Sequence, residues 1–175
     1  FKTGCDLFEK HGLDFDFMDF ESLARAEIRD RQLCVSGEAY RVLILPGMRA
    51  LRYSTLRKAI EFYRAGGVVL AVGALPEASD RMGGNDPELD AVVKEMFGVT
   101  AAVHATDKKA DVQKNSAGGF GAAAASAASL AEIINSAIPR DFIPEGPAQV
   151  LHRHIGSYDV FMVMGAAKNS SCFFR

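Results

Sequence analysis

The stretch that decides the fold runs from Tyr40 to Ser79 and reads YRVLILPGMRALRYSTLRKAIEFYRAGGVVLAVGALPEAS. It contains two apolar runs, VLIL at residues 42–45 and VVLAV at residues 68–72, which are typical of strands covered on both faces. Apolar residues at helical spacing between them predict an amphipathic helix. Its predicted buried face comprises Leu56, Ala59, Ile60 and Tyr63. Strand, helix and strand together predict a right-handed βαβ unit.

Capping signals predict where the helices of this region begin and end. Ser54 is expected to cap the helix of the βαβ unit, because serine oxygens accept hydrogen bonds from free backbone amides there. Gly66 is expected to end it, since glycine tolerates the left-handed conformation. Asp86 followed by Pro87 predicts the start of another capped helix, which Gly98 ends.

The segments around this centre carry signals of different strength. Residues 1–11 predict a helix, and residues 21–24 begin a short helical segment. Alternation of apolar and acidic residues over 13–18 predicts a half-buried strand. Residues 99–103 predict another strand. The alanine-rich run at 122–138 predicts one long helix, because alanine has the highest helix propensity.

The C-terminal part of the chain has a different character. Residues 150–155, 159–164 and 171–175 predict three strands of an antiparallel meander. We therefore expect a division into an α/β domain at residues 1–145 and the start of a β module at residues 146–175. Since the first residues read as part of a helix and the last as a strand, we also expect a piece of a longer polypeptide.

Composition excludes several functional classes. The net charge of −2 is unremarkable, and no cluster of Lys or Arg interleaves with aromatic residues, so we expect no nucleic-acid partner. The apolar runs are far shorter than a membrane span, so no membrane association is expected. The chain has three cysteines, Cys5, Cys34 and Cys172, and their spacing matches neither a zinc motif nor a disulfide pattern. We interpret all three as buried free thiols.

The residues of the βαβ unit resemble a known fold family. LILPG at 43–47, then a helix and GGVVLAVG at 66–73, resembles the class I glutamine amidotransferase-like fold. The resemblance implies a flavodoxin-like, three-layer parallel sheet, here incomplete at its N-terminus. In that family a nucleophilic cysteine occupies the sharp turn after the second strand. This sequence has Ala74 at that turn, and covalent chemistry needs a thiol or hydroxyl, so amidotransferase activity is not expected.

A second resemblance concerns the function. GLDFDF at 12–17, YRVLILPGM at 40–48 and AGGVV at 65–69 are similar to the non-catalytic α/β domain of large bacterial glycoside hydrolases. The families in question are the alpha-L-rhamnosidase-like enzymes and the family 42 beta-galactosidases, in which this domain serves trimerisation. SYDVFMV at 157–163 and KNSSCFF at 168–174 resemble the opening strands of the β-sandwich that follows.

This second resemblance implies an accessory role. The catalytic carboxylates of such enzymes lie in a preceding barrel domain, so the implied partners are other domains of the same polypeptide, a carbohydrate, or further copies in a homo-oligomer. A periplasmic or secreted location is also implied. The alternatives left open are a stand-alone small-molecule binding module, a degenerate amidotransferase-like module and a pure oligomerisation module.

Three loop residues are the predicted binding residues. Ligands of open α/β sheets bind at the carboxyl ends of the strands, and Glu21, Arg49 and Glu77 follow predicted strands. No catalytic pair is predicted: glycosidases use two carboxylates, and Asp14 and Asp16 fit the solvated face of a strand better.

Two further motifs have features of ligand sites. His152 and His154 share one face of a predicted strand, but zinc needs a third or fourth ligand, so no metal is predicted. GGFG at residues 118–121 invites a phosphate-loop interpretation, but no Lys-Ser/Thr follows it and no strong strand precedes it. A flexible connection fits better, and no cofactor is predicted.

Overall fold

The computed structural model describes residues 1–106, 112–146 and 148–174. The chain divides into two compact units. The sheet unit comprises Met18–Ser126, and the hairpin unit comprises Phe1–Phe17 together with Ala127–Arg175. The predicted boundary between residues 145 and 146 falls inside the hairpin unit. Whether it separates two domains of the parent protein stays a prediction. Residues 107–111 of the predicted polar loop lie outside the described residues.

The described helices and strands are short. The helices are α1 (Lys2–His11), α2 (Phe20–Arg25), α3 (Tyr53–Arg64), α4 (Pro87–Phe97), α5 (Ala101–Thr106) and α6 (Ala127–Ala137). The strands of the sheet unit are β1 (Glu27–Arg29), β2 (Gln32–Val35), β3 (Glu38–Tyr40), β4 (Val42–Pro46), β5 (Ala50–Leu51), β6 (Val68–Val72), β7 (Ala78–Ser79), β8 (Gly83–Gly84), β9 (Gln113–Lys114) and β10 (Phe120–Ala124). Those of the hairpin unit are β11 (Phe142–Pro144), β12 (Gln149–Ile155), β13 (Tyr158–Met164) and β14 (Cys172–Phe174).

A four-stranded sheet in the order β4-β6-β10-β9 forms the centre of the sheet unit. Strands β4, β6 and β10 run parallel, and β9 pairs antiparallel at the edge. Every residue of β6 is buried, as its unbroken apolar run predicts. The predicted strand–helix–strand unit with parallel strands is thereby confirmed, and its right-handed crossover stays a prediction. The larger expectation of a flavodoxin-like three-layer sheet stays a prediction, because the other sheets are small and mostly antiparallel.

Helix α3 has the predicted buried face but a different cap. Leu56, Ala59, Ile60 and Tyr63 are all buried. The predicted cap Ser54 is wrong, because it lies inside the helix, which begins at Tyr53. Asp80 supplies the missing acceptor, since its carboxylate oxygen accepts the Tyr53 backbone N–H at 2.8 Å. The cap therefore comes from a residue 27 positions away in sequence. Helix α4, in contrast, has the predicted Asp86 cap and Gly98 end.

The alanine-rich run is divided between a strand and a helix. The predicted single helix over 122–138 is wrong, because residues up to Ala124 belong to β10 and α6 begins only at Ala127. The reason is the tertiary environment, since β10 lies beside β6 in the sheet and approaches α4 closely at Gly121. A Cβ atom added to Gly121 would lie 3.0 Å from the carbonyl carbon of Met96 and closer still to its oxygen. Only glycine fits at this position, and the parallel pairing of residues 120–124 with β6 outweighs the helix propensity of the alanines.

Two predicted strands are absent. No described residue of 13–18 is in a strand, and Phe15 and Phe17 form an edge-to-face pair with ring centroids 5.2 Å apart. Asp19 then caps α2, and hydrogen bonds from Ser22 lower the pKa of its carboxylate. The predicted strand over residues 99–103 is wrong as well, because α5 occupies Ala101–Thr106.

The hairpin unit contains two pairs of strands. Strands β12 and β13 form the predicted hairpin, with Gly156 and Ser157 at its turn. The predicted meander is wrong, because β14 pairs with β11 and not with β13. Helix α1 is confirmed, and Gly12 ends it with φ 61°. Among the described residues, no helix is long and apolar enough to cross a membrane.

Candidate functional site

A cavity opens at the carboxyl ends of the parallel strands in the sheet unit. Its volume is about 280 Å³. Gly73 and Ala74 line it directly after β6, and Ala125 lines it directly after β10. Arg49 and His104 contribute charged and polar groups. We call this space the corner cavity, because it lies on the turn where the chain leaves β6. Ligands of open α/β sheets bind at this end of the strands.

The turn after β6 is sharp, and its first two residues, Gly73 and Ala74, are small. Gly73 adopts φ 79°, a conformation that favours glycine, and its backbone N–H donates to the carbonyl oxygen of Ala124 at 2.9 Å. The Gly47 N–H donates to the carbonyl oxygen of Val72 at 2.7 Å. Ala74 then presents a methyl group. Among the described residues that line the corner cavity, none carries a thiol or a hydroxyl group.

A buried histidine lies against this turn. His104 of α5 is only 5% exposed, and its Nε2 lies 2.8 Å from the carbonyl oxygen of Gly73. Because a carbonyl only accepts hydrogen bonds, Nε2 must carry the hydrogen and donate. Its Nδ1 is buried and has no hydrogen-bond partner among the described residues. A buried polar atom without a partner destabilises a fold by about 1–3 kcal/mol, so the position calls for an explanation.

An ion pair closes the side of the cavity. Arg49 donates from Nε to Oε1 of Glu77 at 2.8 Å and from Nη2 to Oε2 at 3.3 Å. These hydrogen bonds to Glu77 raise the pKa of the Arg49 guanidinium. The backbone reinforces the pair, since the Glu77 N–H donates to the carbonyl oxygen of Arg49 at 2.8 Å. The loops that follow β4 and β6 are thus joined by both side chains and backbone.

The structure brings together two of the three predicted binding residues. Arg49 and Glu77 contact each other and line the corner cavity. Glu21 lies in the first turn of α2 and is not among the lining residues. That any of the three binds a ligand stays a prediction. His104 was missed, because its only signal in the sequence is a histidine within the apolar run AAVHA.

The two C-terminal histidines contact a carboxylate. Oδ1 of Asp159 lies 2.8 Å from Nε2 of His152 and 3.2 Å from Nδ1 of His154. The hydrogen bond with His152, and then that with His154, lowers the pKa of Asp159. The His152 ring also stacks on Phe161, with centroids 4.2 Å apart. Within residues 1–106, 112–146 and 148–174, no group of three or more His, Cys, Asp or Glu residues is arranged to hold a metal ion.

The glycine-rich segment at residues 118–121 does not form a phosphate loop. Oδ1 of Asn115 accepts the backbone N–H groups of Ala117 and Gly119 at 3.0 and 2.8 Å. Gly121 lies within strand β10 and not at a helix N-terminus. The amides that a phosphate would need are therefore engaged by a side chain of the same turn.

Comparison with known proteins places the chain among the glycoside hydrolases. The sequence model of glycoside hydrolase family 106, described as alpha-L-rhamnosidase, matches residues 8–172. Because this match covers nearly the whole chain, the chain belongs to that family. No curated protein and no solved structure gives a significant match. The predicted relation to alpha-L-rhamnosidase-like glycoside hydrolases is thereby confirmed, whereas its non-catalytic and amidotransferase-like parts stay predictions.

Proposed function

We propose that this chain is an accessory region of an alpha-L-rhamnosidase, and that another part of the parent polypeptide breaks the glycosidic bond. The observation that supports this proposal is the carboxylate count at the corner cavity. Glycoside hydrolysis uses two carboxyl groups, separated by about 5–5.5 Å in retaining enzymes and about 6.5–9.5 Å in inverting ones. Among the described lining residues, Glu77 supplies the one carboxylate, and Arg49 already holds both of its oxygens.

The proposal includes a degenerate amidotransferase-like corner. Three parallel strands and the sharp turn at Gly73 support that architecture, and so does the histidine that lies beside the turn. A covalent mechanism needs a nucleophile next to such a base. Ala74 offers a methyl group instead, so the histidine has nothing to deprotonate. In this account His104 fixes the turn through the Gly73 carbonyl, and the corner serves contact and not bond-breaking.

The proposal also assigns residues 146–175 to the start of a β-sandwich. Strict alternation along the hairpin places Tyr158, Val160 and Met162 on one face of β13. Tyr158 is 73% exposed and Met162 is 57% exposed. Sheets of a β-sandwich bury such a face against a second sheet. The uncovered apolar face supports the assignment, because a two-stranded hairpin is at best marginally stable alone.

A hydrolysis assay tests the accessory role. The 175-residue chain would be purified, shown to be folded by far-UV circular dichroism and cooperative thermal unfolding, and incubated with 4-nitrophenyl alpha-L-rhamnoside. We expect no release of nitrophenolate above the buffer rate. Turnover by the folded chain that disappears in a Glu77→Gln variant would overturn the proposal, since it would make the carboxylate of the corner cavity catalytic.

A further inference from the structure

The size and walls of the corner cavity suit a small ring. Its volume of about 280 Å³ is just below the range of about 300–1,000 Å³ found for pockets that hold drug-sized ligands. Four of its lining residues are small or apolar. They are Ala74, Leu75, Ala101 and Ala125. One monosaccharide unit can therefore approach the backbone of the turn closely.

The charged groups of the cavity compensate each other. Two N–H groups of Arg49 point at the two oxygens of Glu77, and the net charge of the pair is zero. A guanidinium has five N–H donors and each carboxylate oxygen has two lone pairs, so the pair retains both donors and acceptors. A neutral polyhydroxyl ligand can use both kinds of group, whereas an anion would meet the carboxylate as well as the guanidinium.

The buried histidine forms one wall of the cavity. Its ring lines the cavity, and Nε2 of His104 donates to the carbonyl oxygen of Gly73 at 2.8 Å. Its Nδ1 is buried and does not face a ligand in the cavity. The histidine therefore holds the turn in place, and the polar contacts to a ligand come from Arg49 and Glu77.

We propose that the corner cavity is a non-catalytic binding site for one sugar unit, held by Arg49 and Glu77. The inference rests on the accessory function proposed above, because it assigns the cavity a carbohydrate that it binds and does not cleave. The site would hold part of the glycan chain while another region of the parent enzyme acts on it.

A titration of the ¹⁵N-labelled chain with L-rhamnose tests this site. Amide signals of Gly73, Ala74 and Ala125 are expected to shift in two-dimensional ¹⁵N–¹H spectra, with a Kd of about 1 mM, which corresponds to about −4 kcal/mol. Inorganic phosphate is expected to leave the same signals in place. Absence of sugar-induced shifts at concentrations about tenfold above that Kd would overturn the inference, and so would shifts produced by phosphate alone.

Two variants separate binding at the corner from a general effect. Glu77→Gln removes one charged acceptor, so we expect binding to weaken about tenfold. Glu95→Gln is the matched control, because Glu95 forms a similar two-point ion pair with Arg64, at 2.8 and 2.6 Å, and does not line the cavity. Equal affinity of both variants would contradict the assignment. If Glu77→Gln fails to fold, Arg49→Lys, which cannot make the two-point contact, takes its place.

The two proposals fail in different experiments. If L-rhamnose causes no shifts and the chain hydrolyses no aryl rhamnoside, the binding site is refuted and the accessory role is not. Hydrolysis of the aryl rhamnoside that depends on Glu77 would remove the accessory role, whatever the titration shows.

Discussion

The close approach of α4 to β10 makes Gly121→Ala the most informative test of the fold. A Cβ at this position would lie 3.0 Å from the carbonyl carbon and 3.4 Å from the Cα of Met96. It would lie closer still to the Met96 carbonyl oxygen, at a separation that real Cβ atoms essentially never show. Backbone atoms cannot rotate away as side chains do. The helix or the strand must therefore move by about 1 Å, and we expect a loss at the upper end of the range for overpacking, about 3 kcal/mol.

Thermal unfolding followed by far-UV circular dichroism measures this loss. In a domain of this size, about 3 kcal/mol corresponds to a decrease in Tm of roughly 6–12 °C. Gly84→Ala is the matched control, because its Cβ would meet nothing nearer than 3.9 Å, and its expected change is within about 0.5 kcal/mol. A Gly121→Ala variant whose Tm lies within about 2 °C of the wild-type value would refute the proposed packing.

Three further predictions concern caps and carboxylates. Asp80→Ala removes the acceptor for the Tyr53 N–H, so we expect it to lower the free energy of unfolding by about 1 kcal/mol. Asp80→Asn keeps an acceptor oxygen and should retain most of that stability. Urea unfolding measures both variants. Asp86→Ala removes the cap of α4 and also the buried carboxylate that pairs with Arg81, so we expect the free energy of unfolding to fall by about 3 kcal/mol in the same assay. A decrease of less than about 1 kcal/mol would contradict this expectation. Asp159 has a pKa lowered by its hydrogen bonds with His152 and His154, so ¹³C NMR should find it titrating below the ordinary range of an aspartate. The stability that it contributes is then present above that range and is lost as the pH falls through the folded-state pKa, and titration at or above the ordinary value would contradict the hydrogen bonds.

The sequence predicts those parts of the fold that depend on local pattern. Strands β4 and β6 and the buried face of α3 were predictable, because unbroken apolar runs and helical spacing are visible within a few residues. Strand β10 was not, because its alanines favour a helix locally and its pairing with β6 depends on residues about 50 positions away in sequence. The cap of α3 was missed for the same reason, since Asp80 is distant in sequence.

The candidate site was predicted only in part, for a similar reason. Arg49 and Glu77 follow the two strands that the sequence shows most clearly, so their place at the carboxyl edge could be anticipated. Their mutual contact could not, because it depends on how two loops fold over the edge. His104 was hidden by the incorrect prediction of a strand at residues 99–103, and its partner Gly73 lies 31 positions away.

The central claim is that the corner after β6 does not break glycosidic bonds, and the rate of nitrophenolate release from 4-nitrophenyl alpha-L-rhamnoside tests it most directly. The account predicts that the folded 175-residue chain releases product no faster than buffer does. Release above that rate, abolished by Glu77→Gln while Glu95→Gln retains it, would contradict the account.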